Sequence, residues 1–213
     1  MSTLNAGALT FQEWAMKEPL PLATIHDAVL DFLRGRDDVV LFGAHAVNAY
    51  VDEPRMTQDV DVMSTRAVEL AEELREYLNQ RFHIAVRTRK VREGLGYRLY
   101  QVRKEGNRHL VDVRPVENLP PHQQVEDIQT INPVELIAGK VAAHHQRRNK
   151  PKAGTDWRDL AMLLLTFPEL KRDPGPVSDE LKDSGADAAV LASWKEIVES
   201  EIKPQDEESE FDY

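Results

Sequence analysis

Two aspartates stand one residue apart in the stretch Thr57-Gln58-Asp59-Val60-Asp61-Val62-Met63-Ser64. On an extended chain, side chains at i and i+2 leave on the same side. Asp59 and Asp61 therefore project together, while Val60 and Val62 turn the other way into apolar packing. Carboxylates so placed repel one another unless they are protonated, solvated or neutralised by a cation. Hard divalent ions take oxygen ligands and bridge carboxylates to substrate phosphates. The ordinary alternative for such a pair is an exposed strand face or an Asx turn. A third aspartate, Asp112, sits in Leu110-Val111-Asp112-Val113, where an unpartnered carboxylate is costly to bury. If its strand lies beside the first, three carboxylates meet at one point, enough for two divalent ions. Two such ions, about 3.5–4 Å apart, activate an attacking oxygen and stabilise a leaving one.

Upstream, Leu41-Phe42-Gly43-Ala44-His45-Ala46 reads as a strand, a glycine and the start of a helix. Backbone N–H groups of Gly43, Ala44 and His45 at a helix N-terminus make a seat for phosphate, although strand–Gly–helix turns are common as simple connections. Taken with the residues that follow, the order hhGxxhhxxh…R-x-T-x-D-h-D-h resembles the nucleotidyltransferase superfamily with the DNA polymerase β-like fold, and within it the AbiEii/AbiGii-toxin-like small bacterial proteins. The resemblance implies that Gly43 and Ala44 form the phosphate turn and that His45, Arg55 and Thr57 line the approach to the nucleotide. It implies Asp59 and Asp61 as metal ligands and Asp112 as a third ligand or base.

The downstream stretch Glu135–Leu164 resembles the same family's pattern of a helix carrying a lysine followed by D-x-x-D-L. By that likeness Lys140 contacts nucleotide phosphates, Asp156 is the later functional aspartate and Asp159 is structural. Lys140 also lies among apolar neighbours, so its ammonium either reaches an acidic site or phosphate or snorkels to solvent. The resemblance spans residues 38 to 166. What it implies is Mg²⁺- or Mn²⁺-dependent transfer of a nucleoside monophosphate from an NTP to a hydroxyl. The acceptor is an RNA or tRNA end or a protein, in a toxin–antitoxin setting with a cognate antitoxin. One departure stands out: the superfamily usually has Gly-Ser or Gly-Gly where this chain has Gly43-Ala44. Alanine keeps its N–H but offers no hydroxyl, which leaves open a binding protein of the same fold that transfers nothing. A small-molecule (antibiotic) nucleotidyltransferase is the other alternative.

Other residues carry less. His144-His145 points two rings about 100° apart on a helix, a poor metal pair, and reads as surface histidine. Trp14, Trp157 and Trp194 read as core or interface anchors. Arg147, Arg148, Lys150 and Lys152 either approach a polynucleotide or solvate a loop.

The elements that must position these residues follow from periodicity. Helical spacing runs through 20 to 35, and a buried strand through 38 to 43. A short helix follows that glycine, a period-two strand covers 58 to 64, and an amphipathic helix covers 66 to 82, capped by Ser64 or Thr65. Three β-rich segments (83–91, 97–106 and 108–116) are separated by turn-like Glu-Gly pairs and read as a meander. Residues 117 to 124 read as a loop. Helical patterns then cover 133–148, 155–167 and 187–202, with Asn132-Pro133 as cap and first turn. The expected class is α+β: a nucleotidyltransferase-type mixed sheet flanked by helices, with a helical C-terminal region. Its expected parts are a core over 1–118, a helical region over 119–203 and an acidic, disordered tail over 204–213.

Composition fits a soluble cytoplasmic protein without a signal peptide, at 41% hydrophobic and 30% charged residues. The absence of cysteine excludes disulfides, thiolate metal sites and cysteine nucleophiles. The net charge of −10 is uneven. Residues 81 to 114 hold ten Lys/Arg against three Asp/Glu, and 140 to 168 hold six against two. From 169 to the end, five stand against fourteen. Basic segments within an acidic chain suit either solvated faces or a phosphate-binding surface. Arginines 87, 89, 98 and 103 clustered near the aspartates would favour RNA, and an acidic cleft would favour a cationic drug.

Overall fold

The structure, a computed structural model, describes residues 20–91 and 96–204. Helix α1 (Leu22–Leu33) leads into β1 (Val39–Phe42), α2 (Gly43–Tyr50), β2 (Val60–Ser64) and α3 (Ala67–Phe82). Strands β3 (Val86–Val91), β4 (Gly96–Gln101), β5 (Arg108–Pro115), β6 (His122–Val125) and β7 (Ile128–Ile131) follow. The chain closes with α4 (Pro133–Gln146), α5 (Lys152–Thr166), α6 (Pro176–Asp183) and α7 (Ala188–Glu199). The tail after 204, Trp14 and most of the turn before Gly96 lie outside the described residues.

All seven strands join one mixed sheet in the order β3-β4-β5-β2-β1-β7-β6. β3, β4 and β5 form the antiparallel meander that the spacing predicts. β2 runs antiparallel to β1 and parallel to β5, so it occupies the middle of the sheet. Its burial alternates strictly: Val60, Val62 and Ser64 are buried, while Asp61 and Met63 are not. The valines belong to a continuous core with Leu70, Leu74 and Leu78 of α3 and with Leu99, Val111 and Val113. Burying that face is what fixes the opposite face of β2 and β5 as the one carrying the acids.

Residues 117–121 form a loop, as read, but from His122 the chain makes a hairpin. β6 pairs antiparallel with β7, and β7 pairs parallel with β1 at Leu41–Thr130, so strands beyond residue 118 extend the same sheet. Glu126 and Asp127, at φ 49° and 68°, make the two-residue turn between them. Both sit in the left-handed region that such hairpin turns require, where Asn and Gly are the usual occupants. Glu-Asp carries no such signal, so the sequence does not announce this hairpin. The Gly35 N–H donates to the Asp127 carbonyl at 2.8 Å, tying this turn to the end of α1.

Local capping is simpler than expected. Asn132 takes the N-cap position before Pro133 but makes no side-chain capping bond. The Arg66 N–H donates to Ser64 Oγ at 3.0 Å, just ahead of α3. Helix α6 lies between the helical patterns that the periodicity shows. His144 and His145 are half-buried rather than surface residues: their Nδ1 atoms meet the Ala153 carbonyl at 3.1 Å and Ser193 Oγ at 2.7 Å, linking α4 to α5 and α7.

Candidate active site

The register of the central strands sets a row of side chains across one face. Phe42 of β1 pairs with Asp61 of β2, Asp61 with Asp112 of β5, Asp112 with Arg98 of β4, and Arg98 with Arg89 of β3. Directly paired residues share a face, so the two aspartates are neighbours. Asp59, just before β2, leaves on the same side by alternation.

Gly43 follows Phe42 and begins α2, at φ +70°. A Cβ placed there would lie 2.2 Å from Asp61 Oδ2 and 2.9 Å from Asp61 Cβ, so only glycine lets the turn pass against the acid. The first N–H groups of α2 have no intrahelical partner, an arrangement that can accept an anion beside Asp61. Ala44 and His45 are part of that first turn and half-buried.

His109 completes the cluster, and the sequence reading passed over it. Strict alternation would put His109 and Asp112 on opposite faces. A register shift between Leu99 and Tyr100 instead pairs Leu99 with Val111 and Tyr100 with His109, leaving Leu110 as an extra residue in β5. That bulge swings His109 onto the face of Asp112. Its Nε2 lies 2.9 Å from Asp112 Oδ1, and its Nδ1 lies 3.0 Å from Asp59 Oδ2. Burial alone would lower the imidazole's pKa, but the two flanking carboxylates raise it to about 9. It is therefore an imidazolium at neutral pH, donating from both nitrogens. The only advance signal was a histidine three residues before an aspartate in an apolar strand.

The carboxylates differ sharply in environment. Arg98 donates from Nε and Nη2 to the two Asp112 oxygens at 2.9 and 2.8 Å. Burial would raise the Asp112 carboxyl, but Arg98 and His109 hold it well below the usual range. Asp59 is lowered chiefly by its bond from His109. Asp61 is pushed up to about 6 by burial and then by repulsion from Asp59 and Asp112. A carboxylate crowded by two others is relieved by a cation, and the cluster is sized for one. Asp59, His109 and Asp112 each offer a ligand atom, all within 4.8 Å of one another, the His109 nitrogen only once an ion displaces its proton. The donor set of oxygens with one imidazole nitrogen fits a divalent ion.

Two of the remaining residues singled out by sequence, Arg55 and Lys140, meet at a second acid. Asp159 of α5 is fully buried. Arg55 forks it at 2.5 and 2.7 Å, and Lys140 of α4 donates to it at 2.6 Å. Burial raises this carboxyl's pKa, but the two cations outweigh it and hold it low. Lys140 thus neither snorkels nor points at Asp61 in this state. Arg55 is fixed further by Asn48, whose amide accepts from the Arg55 N–H at 3.0 Å and donates to its carbonyl at 2.8 Å. Asp156, also buried, pairs with Arg147 at 2.7 Å. Thr57 Oγ1 lies 2.8 Å from His45 Nε2, which also faces His26 Nδ1 at 3.3 Å. The approach segment is therefore clamped by Arg55 on one side and Thr57 on the other, which sets where Asp59 enters the row. Arg87 and Arg89 are exposed on the same sheet face, while Arg103 lies beyond β4 and pairs with Glu105.

A family model described as "Nucleotidyl transferase AbiEii toxin, Type IV TA system" matches residues 28–209. The chain belongs to this family. No curated protein matches it. Among solved structures, the Megavirus polyadenylate synthase superposes with a TM-score of 0.58 at 14% identity, over 80% of this chain. This chain spans only 37% of that enzyme. JHP933 from Helicobacter pylori superposes with a TM-score of 0.50 at 14% identity, covering 84% of this chain and 90% of its own. These likenesses establish the nucleotidyltransferase fold. Among the described residues, no helix is long and apolar enough to cross a membrane.

Proposed function

We propose that this protein transfers a nucleoside monophosphate from an NTP to the hydroxyl of an RNA end, with release of pyrophosphate, and acts as a toxin in the cytoplasm. The observation that carries the reading is the pairing of Asp61 with Asp112 beside the Gly43 turn. It gathers acids at a phosphate seat, the arrangement that phosphoryl transfer needs. Asp59, Asp61 and Asp112, with His109, would hold the divalent ions, Mg²⁺ or Mn²⁺. When bound, such ions neutralise the phosphates and activate the attacking oxygen.

The chain's own groups do the positioning. N–H groups of Gly43, Ala44 and His45 hold the triphosphate. The acceptor oxygen attacks the α-phosphorus as the bond to pyrophosphate breaks, and the hydroxyl's proton passes to a carboxylate oxygen of the row. Lys140 would reach the leaving pyrophosphate only by exchanging its bond with Asp159 for one with phosphate. Exposed Arg87 and Arg89, on the site face, favour a polyanionic acceptor over a cationic drug. Family membership suggests a cognate antitoxin as partner.

The test is incubation with each labelled NTP, a divalent ion and total RNA, comparing wild type with the Asp59→Ala/Asp61→Ala double variant. Wild type labels RNA, and the variant loses about 10²-fold or more, as expected for several kcal/mol of lost charge stabilisation. Label transfer that survives both substitutions would sink the assignment.

A further inference from the structure

Two residues along each strand from the row of acids, a second row crosses the same face: Met63, Arg114, Gly96 and Val91, set by the Met63–Arg114 and Val91–Gly96 pairs. Gly96 leaves a gap in it. At φ +146° a Cβ there would meet the Val113 carbonyl oxygen at 2.5 Å, so no other residue keeps this strand pair. The gap opens into a cleft of about 490 Å³ lined by Phe42, Val91, Gly96, Arg114 and Pro115, with Asp61 and Asp112 along its side. The Arg114 guanidinium lies 4.8 Å from the centre of the Phe42 ring, so that wall is flat, stacked and cationic.

We propose that this cleft seats the terminal nucleoside of the RNA acceptor, its base stacked on the Arg114–Phe42 wall. The assignment rests on the reaction proposed above. Three features support it. The triphosphate seat is at Gly43, at the end of β1. Attacking and leaving oxygens lie roughly in line across the phosphorus, so the acceptor arrives from the β5 and β4 side, where the cleft fronts Asp112. The volume falls within the range of small-ligand sites, suiting one nucleoside and excluding a duplex. The lining is largely apolar, with a single guanidinium plane. Single-stranded RNA ends are held by such stacking on aromatic and Arg planes.

The experiment measures binding apart from transfer. A short single-stranded RNA, labelled with fluorescein at its 5′ end and carrying a 3′-deoxy terminus, is titrated by anisotropy against wild type, Arg114→Ala and Val91→Trp. NTP binding is measured by calorimetry on the same proteins. Arg114 is exposed, so its loss leaves the core intact, and melting curves verify this for both variants. Each variant is expected to weaken RNA binding about tenfold, as loss of one stacked base does, with NTP affinity within about twofold of wild type. RNA affinity unchanged in both variants, or an equal loss for NTP, overturns the assignment. The reaction is judged separately. Wild type that binds RNA through this cleft yet labels nothing keeps the site and removes the reaction. Label transfer at unchanged KM for RNA in both variants does the reverse.

Discussion

At Gly43, a positive φ and the 2.2 Å approach of a would-be Cβ to Asp61 act together. Gly43→Ala should cost at least about 1–2 kcal/mol from the backbone alone, read as a lower urea midpoint, and should also displace Asp61. Ala44, one residue on, shows no positive φ, so the Gly-Ala pair leaves the backbone of this turn intact. His109 gives a pH prediction. Its folded pKa of about 9 lies above its ordinary 6.5, so its stabilising contribution is full below pH 6.5 and is lost as pH rises through 9. In metal-free protein, thermal melting should show stability falling between those values, and His109→Gln should flatten that fall.

Among elements, the decisive feature is the bulge in β5. Alternation read from the sequence correctly turns Val60, Val62, Val111 and Val113 inward and Asp61 and Asp112 outward. It could not count the extra residue Leu110, because a bulge is defined by the partner strand. The same holds for β6 and β7, whose turn residues Glu126 and Asp127 are held left-handed by contacts with the end of α1. The helical half is joined to the acid row through Asp159, a buried carboxylate held by Arg55 and Lys140. Removing one cation leaves a buried charge half-compensated. Arg55→Ala should therefore destabilise by about 3 kcal/mol, measured by urea unfolding, and should lower transfer by freeing the segment that delivers Asp59.

Over the whole molecule, the net charge of −10 conceals a basic face on the β3–β4 side. If Arg87 and Arg89 meet RNA phosphates, Arg87→Gln/Arg89→Gln should weaken RNA binding. It should also flatten the slope of log K against log salt by about 1.4, at roughly 0.7 per phosphate contact on single strands. An unchanged slope in an anisotropy titration would remove these arginines from the RNA path.

What the sequence by itself determined is the set of faces: a glycine turn, two acids on one side of a strand, and a third acid on another strand, each read from local periodicity. Only the tertiary structure decided which groups answer those acids. Arg98 forks Asp112, His109 bridges Asp59 and Asp112, and Lys140 is held on Asp159. The physical reason is that a side chain's face follows from the backbone repeat of its own strand. Its partner depends on register, bulges and the docking of distant helices, which are set by burial of the core as a whole.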